Sequence, residues 1–296
     1  MGPMERKDRI DAAGAALLVG FAVLMGLNHV AIKLVNTGMQ PVFQAGLRSV
    51  IALGPIMIYA LVTGRRLSLI DGSFWPGVLA GLFFATEFIF IYQSLSFTSV
   101  ARAAVLLYTM PFWVALGAHF LIPGEPLTPR RVAGLVLAFG GVVLALSRNE
   151  APASDKAFIG DLMALAGAVF WAGIVILTRA TRLSNATAEM QLIYQVAISA
   201  VVLTALGPML GPVIYGMTPL LWGLIGFQAI GIVSIGFLGW LMVLKIYPAS
   251  DVASYGFLAP LCGVLFGRLI LGEPITWTIA GALALVAVGI VLVNRR

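Results

Sequence analysis

Apolar residues run along this chain in long unbroken stretches, and the few charges fall in short clusters between them. Each stretch is about 18 to 25 residues, the length at which an α-helix crosses a hydrocarbon core of roughly 30 Å. The stretches are continuous, whereas the strands of a membrane β-barrel are short and alternating. The pattern predicts ten spans. Five lie near Ala12–Ile32, Val42–Val62, Phe74–Leu95, Ala101–Ile122 and Pro129–Leu146, and five near Phe158–Thr178, Glu189–Leu206, Leu220–Ile246, Asp251–Leu271 and Trp277–Val293. The charged start, Met1 to Asp11, leads directly into an apolar run too long for a signal-peptide core, so that run is the first span. The polar stretch from Arg148 to Lys156 falls at the midpoint and divides the chain into residues 1–148, a linker at 149–156, and residues 157–296.

Composition narrows the class further. Hydrophobic residues make up 60% of the 296 and charged residues only 10%, against about 25% charged in a soluble domain. The net charge of +6 does not imply a nucleic-acid partner, because the basic residues flank apolar runs and form no groove-sized patch. Their distribution orients the chain instead. With an even number of spans both termini share one side. That side carries twelve Lys and Arg: Arg6, Lys7, Arg9, Arg65, Arg66, Arg130, Arg131, Arg179, Arg182, Lys245, Arg295 and Arg296. The other side carries five, namely Lys33, Arg102, Arg148, Lys156 and Arg268, and Arg48 lies inside the second span. The asymmetry places both termini in the cytoplasm. A single cysteine, Cys262, excludes a disulfide framework. His29 and His119 lie far apart with no second thiol, which argues against a metal site, and no motif calls for a cofactor.

The two halves repeat a motif series in the same order. The first reads Tyr108-Thr109-Met110-Pro111, then Gly124-Glu125-Pro126-Leu127-Thr128, Gly134, and Gly141-Val142-Val143-Leu144. The second reads Phe257-Leu258-Ala259-Pro260, then Gly272-Glu273-Pro274-Ile275-Thr276, Gly281, and Gly289-Ile290-Val291-Leu292. Five spans per half is an odd number, so the second half enters the membrane from the opposite face. The expected fold is therefore an all-α membrane protein of ten transmembrane helices in two inverted-topology five-helix repeats, the architecture of alternating-access transporters.

This doubled series resembles the EamA-type branch of the drug/metabolite transporter superfamily, over nearly the whole chain. The segments around Glu87, Tyr108 and Trp171 are similar to bacterial exporters of aromatic and other neutral amino acids. The resemblance implies a ten-helix protein of the bacterial inner membrane with a central cavity between the halves, and it implies that Trp171 faces the substrate there. Met110 departs from those relatives, which have an aromatic residue before the in-span proline.

Ionisable groups at bilayer depth are costly and mark function by default. Lys33, Arg102, Arg179, Lys245 and Arg268 are near span ends, where snorkelling to the interface is the plain reading. Glu87 sits mid-span and must be protonated, paired or facing a wet cavity; Arg48 is its obvious partner. Proton coupling through Glu87 and simple facilitation down the substrate gradient both stay open. Trp171 lies far from the interfaces where tryptophans gather, and position alone reads as packing. Tyr92, Tyr108, Gln93, Gln195, Gln228, Asn28 and His29 are candidates to line the cavity, with interhelical hydrogen bonding as the alternative for each. Trp240 and His119 read as structural. Pro111 and Pro260 each remove a backbone donor inside a span and are candidate hinges. The spaced glycines suit helix packing within the chain or contacts in a homodimer, so monomer and dimer both remain.

The function expected is export of amino acids or similar small metabolites. A sugar-phosphate, nucleotide-sugar or drug transporter of the same superfamily is the alternative, although phosphate would call for several deep cations. An intramembrane enzyme lacks its motif, having no His-Glu-x-x-His. A receptor would not need inverted halves. Orientation is directly testable: single cysteines in the Arg148–Lys156 loop should react with an impermeant thiol reagent from the periplasmic side, and labelling only from the cytoplasm would reverse the assignment.

Overall fold

The computed structural model describes residues 10–122, 127–146, 156–247, 255 and 258–294. Among these residues the chain is helical, with eight helices long and apolar enough to cross a membrane and two shorter apolar ones near the C-terminus. The helices are α1 (Ala12–Val35), α2 (Pro41–Val62), α3 (Phe74–Phe97), α4 (Val100–Leu107 and Met110–Leu121), α5 (Pro129–Leu146), α6 (Ala157–Ala180) and α7 (Ala188–Leu206). They continue as α8 (Pro219–Gly226, Phe227–Gly236 and Phe237–Ile246), α9 (Leu258–Leu271) and α10 (Trp277–Asn294). The linker to Asp155, the Gly124-Glu125-Pro126 turn, the start expected at Asp251, and the terminal Arg6, Lys7, Arg9, Arg295 and Arg296 lie outside the described residues.

The ends of these helices are written in their capping residues. Asp11 accepts the Gly14 amide at 2.8 Å, Gln40 the Phe43 amide at 2.6 Å ahead of Pro41, and Ser99 the Arg102 amide at 3.1 Å. Thr187 and Thr218 do the same for α7 and α8. The helix exteriors expose Leu61, Phe120, Phe139, Val201 and Trp277, a surface suited to lipid and too apolar for water.

The packing partners follow a two-fold rule in which each helix exchanges with the one five places on. The pairs α2–α7 and α5–α10 map onto themselves, while α1–α9 exchanges with α6–α4 and α3–α6 with α8–α1. The loops obey the same exchange. At one end the α1–α2 loop meets the α7–α8 loop, where the Gln40 amide donates to Val213 O at 2.9 Å and Tyr215 Oη donates to Asn36 O at 2.6 Å. At the other end the α6–α7 loop meets the α2–α3 loop, where Asn185 donates to Asp71 O and Thr187 to Arg66 O. Equivalent contacts at opposite ends are what an inverted repeat produces. Along α5 and α10 the spaced glycines bring the two helices into contact: a Cβ at Gly289 would lie 2.9 Å from Gly134 O, and one at Gly141 2.9 Å from Val286.

The repeated Gly-Glu-Pro-Ile-Thr segment has a job for several of its letters. Gly272 takes φ +68°, a left-handed turn that ends α9. Glu273 then reaches across to α4, accepting the Val100 amide at 3.0 Å, the Ala101 amide at 3.3 Å and Lys33 Nζ at 2.9 Å. Its charge thus sits on the positive end of a helix dipole. Thr276 accepts the Ile279 amide and caps α10.

Lys33 and Arg102 correct the snorkelling expectation. Lys33 is tied to Glu273 and Thr98 O, and Arg102 makes a bidentate pair with Asp161, which also accepts from the Thr98 hydroxyl at 2.6 Å. Both pairs join the first half to the second, and both lie at the same end of the bundle. Arg268 is exposed in the last turn of α9. His119 accepts the Leu127 amide at 3.3 Å, a structural contact.

Asp161 is fully buried and Arg102 largely so. Removing one member of such a pair strands the other, at about 3–5 kcal/mol. Asp161→Ala should therefore unfold at clearly lower temperature in detergent, with the loss partly restored in the exchanged pair Arg102→Asp/Asp161→Arg. Unchanged thermal stability in the single variant would show that the pair contributes nothing.

Candidate functional site

A cavity of about 520 Å³ lies between the two halves, within the size range of small-molecule sites. Its walls come from α1 (Met25, Asn28, His29), α2 (Arg48), α3 (Glu87, Phe88), α4 (Tyr108, Met110, Pro111), α6 (Trp171), α7 (Gln195) and α8 (Ile232, Phe237, Trp240). The lining continues through Leu18, Arg131, Arg179 and Ile290. These residues lie toward the end of the bundle where α1 begins and α10 finishes. The charged ties of Glu273 and Asp161 lie at the opposite end.

One wall is an aromatic run across three helices. Tyr108 meets Trp171 edge-on with ring centres 5.7 Å apart, and His29 meets Tyr108 at 6.3 Å. Facing helices supply Phe21, stacked on Trp240 at 4.7 Å. Tyr108 gets its position from a break in α4: it caps Val100–Leu107, and Thr109 begins the next segment. Pro111 occupies the first turn of that segment, where a missing N–H removes no helical bond. The interruption therefore precedes the proline, where the sequence suggests a kink formed by the proline itself. Pro260 is buried on α9 and is not among the residues that line the cavity.

The polar groups in this wall are short of partners. Glu87 Oε2, Asn28 Oδ1, His29 Nδ1, and Arg48 Nε and Nη2 are buried without a hydrogen bond among the described residues. No ion pair joins Arg48 to Glu87 among the described residues, although both line the cavity. Buried polar atoms are nearly always satisfied, and a cluster that is not, gathered on one cavity, is suited to a polar ligand.

The sequence candidates thus divide. Trp171, Tyr108, Glu87, Gln195, Asn28, His29 and Pro111 share the cavity. Tyr92 and Gln228 stand behind its wall: Tyr92 Oη donates to Gln228 Oε1 at 2.9 Å, and Gln44 Nε2 donates to the same oxygen at 3.3 Å. They pin α2, α3 and α8 together. Gln228 sits at the start of a wide π-type stretch, Phe227–Gly236, in which Ser234 donates back to Ala229 O at 2.9 Å; such a stretch changes which face a residue presents. Arg131, Arg179 and Trp240, which the sequence alone presents as span-end or packing residues, belong to the cavity wall. Counting charges by side hid the two arginines, because a cavity mouth and a loop look alike in a sequence.

Proteins named as transporters, efflux pumps and exporters are similar to this chain in sequence. A probable amino-acid metabolite efflux pump of Escherichia coli (strain K12) is 27% identical, over 92% of this chain and 90% of its own. The uncharacterized transporter YvbV of Bacillus subtilis (strain 168) is 28% identical, over 95% and 92%. The aromatic amino acid exporter YddG of Ancylobacter novellus is 30% identical over 53% of this chain and 55% of its own. A solved crystal structure superposes with a TM-score of 0.65 at 23% identity, covering 95% of this chain and 96% of that one, a likeness of fold. The EamA-like transporter family model matches twice, at residues 12–147 and 158–295. With both halves matched, this multi-pass membrane protein belongs to the EamA-like transporter family, and it is a transporter rather than an enzyme.

Proposed function

We propose that this transporter exports amino acids, neutral and aromatic ones among them, across the bacterial inner membrane, with both termini in the cytoplasm. The observation that carries the reading is the composition of the cavity wall. An amino acid needs donors and acceptors for its head group, because stripping its water without replacement costs several kcal/mol. It also needs an apolar surface that tolerates different side chains. Asn28, His29, Glu87 and Gln195 supply the first, and Trp171, Tyr108 and the Phe21–Trp240 stack supply the second. Met110, flexible and in the same wall, suits a broad range of cargo. The names borne by the Escherichia coli and Ancylobacter relatives support the same substrate class.

In this proposal residues 1–148 and 157–296 are the two moving units, linked by 149–156. The broken α4 at Pro111 and α9 at Pro260 are where helices bend as access alternates. A phosphate-bearing cargo is the second reading, favoured by Arg48, Arg131 and Arg179 in one wall. Against it, Arg131 and Arg179 already have neighbours engaging them, and the Glu87 carboxyl in the same wall opposes a dianion.

The test is efflux from proteoliposomes loaded with leucine or phenylalanine. Trp171→Ala should lower the rate roughly tenfold, as expected for loss of an aromatic platform, with membrane expression and thermal stability intact. A folded variant that exports every tested amino acid at the parental rate would move the site elsewhere.

A further inference from the structure

Arg48 is the cavity group hardest to explain as packing. It lies on α2, is 1% exposed, and is the largest of the fully buried side chains. Its guanidinium carbon stands 4.1 Å over the Phe88 ring and 5.5 Å from the centre of Tyr92. Stacking on the rings and a side-chain hydrogen bond with Tyr92 hold the group in place, and its side-on edge stays without a partner. Nε and Nη2, the two nitrogens of the side-on edge, both lack an acceptor. That edge is the fork that matches a carboxylate's two oxygens. A guanidinium cannot escape by losing its proton, so its charge at this depth calls for an anion.

The neighbouring carboxyl does not fill that place. Glu87, the residue beside Phe88 on α3, is 6% exposed, its Oε2 has no donor, and no ion pair joins it to Arg48 among the described residues. Opposite charges of one cavity, each with a free valence, match a ligand that carries both signs on adjacent atoms.

We propose that Arg48 and Glu87 form the head-group subsite of the cavity: the Arg48 edge receives the substrate's carboxylate, and Glu87 receives its ammonium group. The assignment deepens the amino-acid reading and rests on it for the ammonium arm alone. Under it, selectivity is imposed at the head group by charge, while the aromatic wall tolerates different side chains. The subsite has one fork, which suits a monocarboxylate better than a phosphate.

The experiment measures binding to the purified full-length protein in nanodiscs, by calorimetric titration with three probe sets: leucine and phenylalanine, their carboxamides, and the deaminated acids 4-methylpentanoate and 3-phenylpropanoate. The parental protein should bind each amino acid roughly 10- to 100-fold more tightly than its amide, the range expected for a charge-assisted hydrogen-bonded pair. Arg48→Gln should bring that ratio close to one while leaving amide binding in place, and Arg48→Lys should fall between. Glu87→Gln should erase the preference for amino acids over deaminated acids without touching the acid-to-amide ratio. An unchanged acid-to-amide ratio in Arg48→Gln, or no such preference in the parental protein, overturns the Arg48 assignment. Should Arg48→Gln fail to fold, the parental ratio and Arg48→Lys decide. A parental preference for the deaminated acids, lost on changing Arg48, would instead overturn the amino-acid reading and the Glu87 arm and keep the carboxylate receptor.

Discussion

A charge inside a membrane protein has to be matched, and the arrangement of this transporter follows from how each one is. Asp161 is matched by Arg102 and the Thr98 hydroxyl. Glu273 is matched by Lys33 and by two amides at the start of α4. In each case the carboxylate belongs to the second half and its cation to the first. Satisfying the charges and joining the two halves at that end are therefore the same event. Nothing apolar could do this as selectively, since lipid offers hydrocarbon contacts as good as those between helices.

Arg48 and Glu87 are the contrast. They lie in the same protein at similar burial, yet each keeps an atom without a partner beside the cavity. Paired charges thus join the halves at both ends, Arg65 meeting Glu189 at the end where α1 begins, while Arg48 and Glu87 keep their unpartnered atoms beside the cavity. Pairs formed between side chains and backbone ends can also be exchanged as the halves move, which a continuous apolar interface cannot do without opening a void. The near-symmetry of the two halves gives the opposite end a similar set of elements.

The sequence disclosed the fold well because the bilayer imposes lengths and the repeat imposes order. Apolar runs gave the spans to within a few residues for the described helices, and the doubled Gly-Glu-Pro motif gave the two-half construction. Contacts between halves were not legible. Lys33 and Arg102 look like ordinary span-end cations until the fold brings Glu273 and Asp161 to them, from residues far away in the chain. The site was partly legible for the same reason. Trp171, Tyr108 and Glu87 stood out by depth, and they share the cavity. Tyr92 and Gln228 have the same polar character but bond to each other behind the wall, and which way Gln228 faces depends on the π-type turns of α8. Arg131 and Arg179 look like loop charges because sequence does not reveal where a cavity mouth opens.

If the Glu273 and Asp161 ties hold one end of the bundle together, the cavity is reached from the other end. Substituted-cysteine accessibility tests it most directly. With Cys262 replaced by alanine, a single cysteine at Val175 in the cavity wall is exposed to an impermeant thiol reagent applied to one membrane face at a time. Reaction is expected from the face where α1 begins, with reaction from the opposite face rising only when Glu273→Gln or Asp161→Asn loosens the ties. Rapid reaction from the Glu273 face with both carboxylates intact would contradict it.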